Sequence, residues 1–184
     1  CVFERNTSSS AGSDSVAVYM GSGTLDIIDC TFDENGPDDL LELDAAGGGG
    51  AIRVDSSTLN ITRSMFSNNR SGLGGAIYIS GSSNVSVNAC EFLDNDAVNG
   101  GATYKSSQAG STSAVFRNCL FAGNTATAND AAFFTNKPAQ ITNCTFVGNT
   151  ADGSYIIGGS PTAGTVSISN SIVWGNTAAT HIIP

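Results

Sequence analysis

The chain has 184 residues, 40% of them hydrophobic and only 12% charged, which is enough apolar content for a core and excludes a highly charged, disordered chain. Sixteen acidic side chains against seven basic ones give a net charge of −9, which repels phosphate backbones and anionic lipid and excludes nucleic acid as a partner. No apolar run approaches the roughly 20 residues of a spanning helix, so no membrane insertion is expected of this segment, and the abundance of Gly, Ser, Thr and Asn disfavours helices.

The elements follow one another as a repeat, which decides the fold class before any single element does. Cys1, Phe3 and Asn6 form the first block, and Ser15-Val16-Ala17-Val18 reads as a weak strand after it. Leu25 and Ile27 alternate as in a strand and lead into Cys30, Phe32 and Asn35. Residues 33–48 read as an acidic loop insertion, with Asp33, Glu34, Asp38, Asp39, Glu42 and Asp44 close together. Gly49-Gly50-Ala51-Ile52 opens the next circuit, followed by Leu59, Ile61, Ser64, Phe66 and Asn69. Gly74-Gly75-Ala76-Ile77 then precedes Val85, Val87, Cys90, Phe92 and Asn95. Gly100-Gly101-Ala102-Thr103 precedes a loop over 104–113 and then Ala114, Phe116, Cys119, Phe121 and Asn124. Ala131-Ala132-Phe133 is a weaker opening, followed by Ala139, Ile141, Cys144, Phe146 and Asn149. The last copy is degenerate, with Val166, Ile168, Ser171, Val173 and Asn176.

Successive Phe residues are 29, 34, 26, 29 and 25 residues apart, and Val173 follows after 27 more. Three short strands in each such unit, without helical periodicity, predict an all-β right-handed parallel β-helix of about seven coils. A sandwich would require tight hairpin turns between neighbouring strands, and this unit is too long for them. The chain is expected to be a single β-helix over 1–184 and a fragment of a longer solenoid, since it starts and stops within the repeat.

Stacking the coils about 4.8 Å apart aligns the motif residues into columns. Phe3, Phe32, Phe66, Phe92, Phe121 and Phe146 become a buried ring stack, each burying apolar area worth about 2 kcal/mol. Asn6, Asn35, Asn69, Asn95, Asn124, Asn149 and Asn176 become an amide ladder in a turn, where Asn tolerates left-handed backbone. Asn118, Asn143 and Asn170 mark the corner before the small residue. The Gly-Gly pairs fit a tight turn or a close approach of two backbones. Cys1, Cys30, Cys90, Cys119 and Cys144 share a column with Ser64 and Ser171. Their side chains project side by side, and Cys30 and Cys90 lie roughly 9.6 Å apart, beyond disulfide reach, so free thiols packed as small hydrophobes are expected.

The columns supply no catalytic group and no cofactor site. The outward columns Asp26, Asn60, Ser86, Val115, Gln140, Ser167 and Thr31, Met65, Glu91, Leu120, Thr145, Ile172 stack no carboxylates, and His181 is solitary. The spacing of the cysteines lacks the short-range pairs of a zinc site. Asp33, Glu34, Asp38 and Asp39 are the only candidates for calcium, and their order lacks the alternation of a calcium-binding loop, so a solvated loop is the expected reading. Thr125, Thr150 and Thr177 repeat after the motif Asn, too few for an ice-binding array. Sequons at Asn6, Asn60, Asn69, Asn84 and Asn143 are candidate glycan acceptors.

The pairing of Gly-Gly-Ala-Ile at 49–52 and 74–77 with repeated Phe-x-x-Asn resembles the repeat of the chlamydial polymorphic outer membrane proteins, over nearly the whole chain. The resemblance implies a surface-exposed β-helical passenger and an adhesin. The expected role is therefore a structural or adhesive module at the cell surface or outside the cell, presenting loops to a surface protein or glycan of a host or neighbouring cell. A carbohydrate-active β-helix is the alternative, and end-to-end association into a fibre, through exposed strand edges, a third reading.

Overall fold

The computed structural model of the chain describes residues 1–7, 17–37, 47–106, 113–153, 155–159 and 165–179. Residues 15, 16, 38, 39, 42, 44, 107–112 and 181, which include Asp38, Asp39 and His181, lie outside the described residues. Among the described residues the regular elements are strands alone, and every ladder between them is parallel. One circuit shows the plan: Ile52–Asp55, Ser57–Thr62, Met65–Ser67 and Arg70–Leu73 follow in order, and each pairs with its counterparts one circuit before or after. This builds four sheets, here numbered in that order, with six, six, seven and four strands.

Two expectations need correction. The repeat predicts about seven coils of three strands, whereas among the described residues each complete circuit has four strands and seven layers occur only on the third sheet. Among the described residues four circuits are complete, and partial ones at either end bring the rod to about five full turns. The fourth strand escapes the apolar pattern because its inward positions are small: Ser71, Ala97, Ala126 and Ala151 are all buried. The second correction concerns backbone. The ladder asparagines are not left-handed; the residue before each is, at Arg5, Glu34, Asn68, Asp94, Gly123, Gly148 and Gly175. The other corner follows the same rule, with Asp29, Arg63, Ala89, Asn118, Asn143 and Asn170 all at positive φ immediately before the Cys/Ser column. Asn is thus chosen for its left-handed tolerance at 118, 143 and 170, and for its amide at the ladder.

The interior is one continuous cluster from Ile27 to Ile157. On the third sheet the rings of Phe3, Phe32, Phe66, Phe92, Phe121 and Phe146 stack within 7° of parallel, their centroids 4.6 to 5.1 Å apart. Phe116 crosses from the second sheet and meets Phe92, Phe121 and Phe133 edge-on or tilted. Its size is offset by the small Ala114 two residues before it on the same inward face.

The Asn ladder closes the turn between the third and fourth sheets. Each Oδ1 accepts the backbone N–H and the Nδ2–H of the preceding coil's Asn, as at Asn95 to Asn124 (3.1 and 2.9 Å) and Asn124 to Asn149 (3.0 and 2.8 Å). The second Nδ2 hydrogen turns back to a Phe carbonyl, as from Asn124 to Phe92 (2.9 Å) and Asn149 to Phe121 (3.0 Å). The chain of bonds runs without a break from Asn6 to Asn176.

The Gly-Gly pairs divide the two tasks expected of them. The first glycine has positive φ (84°, 65° and 66° at Gly49, Gly74 and Gly100). The second has no room for a side chain, because a Cβ at Gly50, Gly75 or Gly101 would lie 2.2 to 2.3 Å from a carbonyl oxygen of the next coil.

Candidate functional site

With the interior filled, function has to lie on outward columns, corners and the few buried polar groups. The third sheet presents two outward columns in strict register. One reads Glu4, Asp33, Ser67, Leu93, Ala122, Val147, Trp174, and the other Val2, Thr31, Met65, Glu91, Leu120, Thr145, Ile172. The first column is acidic at one end and apolar at the other; Trp174 is 62% and Ile172 61% exposed on the last strand, and Val2 is 69% exposed beside Glu4 on the first. Exposed aromatic and aliphatic groups side by side are the composition of a protein contact surface.

The acidic end gathers Asp33 and Glu34 with Glu4, which the sequence did not single out; one ligand atom of each lies within 4.8 Å of the others. Arg5 enters the same cluster, 2.6 Å from Glu34 and 3.0 Å from Glu4, and these partners raise its pKa, Glu34 first. Asp33 Oδ1 accepts from Ser67 Oγ (2.6 Å) and Asn68 Nδ2 (2.9 Å). The carboxylates are thus already served by cationic and neutral donors.

A third outward column lies on the first sheet: Tyr19, Arg53, Tyr78, Tyr104 and Phe134. Tyr104 stacks on Phe134 at 4.5 Å and on Tyr78 at 5.7 Å. The Arg53 guanidinium lies 5.2 Å from the Tyr78 ring centroid and 5.9 Å from that of Tyr19, in cation–π range. The sequence carries the signal, since each of these residues stands two positions after the Ala of an opening block: Ala17, Ala51, Ala76, Ala102 and Ala132.

The corner between the second and third sheets is recessed. One hollow of about 440 Å³ is lined by Asp29, Cys30, Arg63, Met65 and Glu91 among others, and a second of about 580 Å³ by Cys90, Asn118, Cys119, Leu120 and Asn143. They share Ala89 and Glu91, so together they form a groove along the rod axis. Arg63 clasps Asp29 through two bonds of 2.8 Å, which lowers the Asp29 pKa and raises that of Arg63. Further along, Asn143 Nδ2 donates to Asn118 (3.3 Å) and Asn118 to Asn88 (2.8 Å), a second run of amides.

Beneath this groove runs the Cys/Ser column. All five cysteines are free; Cys90, Cys119 and Cys144 are buried, whereas Cys1 is exposed and Cys30 half-buried in the first coils. Each side chain donates to the carbonyl two residues earlier: Cys30 to Ile28 (3.2 Å), Ser64 to Thr62 (3.0 Å), Cys90 to Asn88 (3.3 Å), Cys119 to Arg117 (3.1 Å), Cys144 to Thr142 (3.4 Å) and Ser171 to Ser169 (2.8 Å). Cys and Ser exchange here because both supply a small donor to the corner, beyond the apolar packing expected of them.

The five sequon asparagines fall in different settings. Asn69 is fully buried in the ladder and both its amide hydrogens are engaged, so no glycan fits there. Asn6 continues the ladder, Asn143 occupies the left-handed corner, Asn60 donates to Asp26 (2.7 Å), and Asn84 is exposed at a strand start. Thr125, Thr150 and Thr177 do align, but the same column continues into Asp96 and Arg70 and forms no uniform threonine face.

Two buried ionisable groups were not anticipated. Lys105 takes an inward position on the first sheet, between Ile79 and Thr135, is 1% exposed, and donates from Nζ to Ser83 O at 3.2 Å. Burial, with Lys137 nearby, lowers its pKa to about 8. Asp130 replaces the first glycine of the Gly-Gly pair, keeps its positive φ, and is 2% exposed with Oδ1 lacking a hydrogen-bond partner. Burial raises its pKa to about 7.

Comparison with curated proteins and with solved structures returned no match. A family model described as the right handed beta helix region matches residues 1–171. The continuous parallel ladders agree with that match, and the chain belongs to the right-handed β-helix family.

Proposed function

We propose that this chain is a structural or adhesive surface module, displayed at the cell surface or outside the cell, in which a rigid rod presents outward columns to a partner. The observation that carries the reading is the outer face of the third sheet, where Val147, Ile172 and Trp174 form an apolar end that faces solvent. Large exposed groups of this kind lower the solubility of a free rod and are retained where a contact uses them. The partner class is a surface protein or glycan of a host or neighbouring cell, and the repeats support kinship with polymorphic outer membrane proteins. The test is attachment of the purified chain to cells or membrane extracts, compared with an Ile172→Ser, Trp174→Ser double variant. Attachment should fall at least tenfold while the circular dichroism stays unchanged; unaltered attachment rejects the surface named here.

The axial groove supports a second reading, a carbohydrate-active β-helix. A linear polymer lying in it would meet in turn the Asp29–Arg63 pair, the Glu91 carboxylate and the amides of Asn118 and Asn143. Incubating the chain with acidic and neutral polysaccharides and following new reducing ends decides between the two, because sustained chain cleavage replaces the first reading with the second.

A further inference from the structure

The three buried thiols of successive coils invite a question that neither surface role answers. Cys90, Cys119 and Cys144 are in register, since Leu120 N donates to Cys90 O (3.0 Å) and Thr145 N to Cys119 O (2.9 Å). The Phe residues two positions on measure the local coil spacing, 4.7 Å from Phe92 to Phe121 and 4.6 Å from Phe121 to Phe146. Side chains that project in parallel from such positions hold their sulfurs at about the same separation. That is more than twice the ~2.05 Å of a disulfide bond. It is close to twice the roughly 2.3 Å of a zinc–thiolate bond, the scale at which one ion fits between two sulfurs. Soft thiolates select soft cations such as copper(I), and two-coordinate linear binding needs only two opposed sulfurs.

We propose that the Cys90, Cys119 and Cys144 column binds soft monovalent cations of the copper(I) class, each ion bridging two neighbouring coils, with Cys119 the shared ligand. Binding one ion displaces two thiol protons to solvent and leaves one net negative charge on the sulfur–metal–sulfur unit. A second ion displaces the third proton and leaves that charge unchanged. The backbone is arranged to support it. In the serine-bearing coils the corner N–H of the preceding coil donates to the column side chain, from Cys30 N to Ser64 Oγ (3.2 Å) and from Cys144 N to Ser171 Oγ (3.1 Å). Backbone N–H groups in the same register point at the thiols, from Ser64 to Cys90, from Cys90 to Cys119 and from Cys119 to Cys144. The column lies buried directly beneath the groove, whose second hollow has both Cys90 and Cys119 in its lining. The binding does not depend on the surface role proposed above.

The experiment uses the reduced full chain carrying Cys1→Ser and Cys30→Ser, which removes the thiol pair of the first coils. It is titrated with copper(I) against a chromophoric copper(I) chelator. Two ions per chain are expected, one in Cys90→Ser or Cys144→Ser, and none in Cys119→Ser. Serine already occupies this column at 64 and 171, so each variant is expected to fold, and circular dichroism verifies it. The proposal is overturned if Cys119→Ser retains as much copper as its parent, or if copper is taken up only after denaturation. Oxidation of the column to a disulfide on exposure to air, seen by non-reducing mass spectrometry, would likewise overturn it, since the sulfurs would then be closer than a bridging ion allows.

Discussion

Asn124 shows how much one side chain holds in this rod. Its Oδ1 satisfies two donors of Asn95, and its Nδ2 serves both Asn149 and the Phe92 carbonyl, all of them buried. Asn124→Ala should therefore cost about 3 to 5 kcal/mol, because it strands several polar groups away from water rather than deleting one bond; urea unfolding monitored by circular dichroism measures it. Asp130 is the opposite case, a group that weakens the fold. Its pKa is about 7 when folded and near 3.9 when unfolded, so the unfolded chain releases the proton first and the penalty grows as pH rises from about 4 to 7, then stays constant. Asp130→Asn should stabilise on the order of 2 kcal/mol at pH 8 and leave stability at pH 4 unaltered. Lys105 has the reverse slope. With its folded pKa at about 8, the buried ammonium costs stability at and below pH 8, and the cost disappears as pH rises towards 10.5. Lys105→Met should raise the melting temperature at pH 7 and lose that advantage by pH 10.

At the scale of the element, the turn into the first sheet is the strictest part of the circuit. Gly75→Ala would push a Cβ to 2.3 Å from Gly101 O, with no flexible side chain to yield, and should cost 2 kcal/mol or more by thermal unfolding. The sequence made this element legible, as it did the Phe and Asn columns, because each is a distinctive residue type recurring at one register. The fourth sheet was hidden for the same reason inverted: a strand whose buried positions are Ser71, Ala97, Ala126 and Ala151 has no apolar alternation to betray it. The left-handed positions were hidden too, since Arg5, Glu34, Arg63 and Ala89 adopt a conformation their residue types do not advertise, and only the stacking of coils imposes it. The candidate surfaces were half visible. Asp33 and Glu34 could be picked out as acids, but the arrival of Glu4 and Arg5 beside them depends on coil stacking. Trp174 and Ile172 gain meaning only from the columns they end.

For the molecule as a whole, the decisive fact is that each coil touches only its neighbours, so stability is a sum of local terms and need not be lost all at once. Hydrogen exchange should find the amides of Met65–Ser67, Glu91–Leu93 and Leu120–Ala122 the slowest. Phe32→Ala should release mainly the first two circuits, whereas Phe92→Ala should expose coils on both sides; an equal, global loss of protection in both variants would show the rod to be a single cooperative unit. The Asn ladder adds a further property. Every rung receives from the coil before and gives to the coil after by the same bonds, so one rung cannot be told from another. Length is therefore a free variable of this architecture, changeable in whole circuits: excising residues 91–119 would bring Phe66 onto Phe121 and Asn69 onto Asn124, and the spliced rod would carry no scar where the missing coil had been.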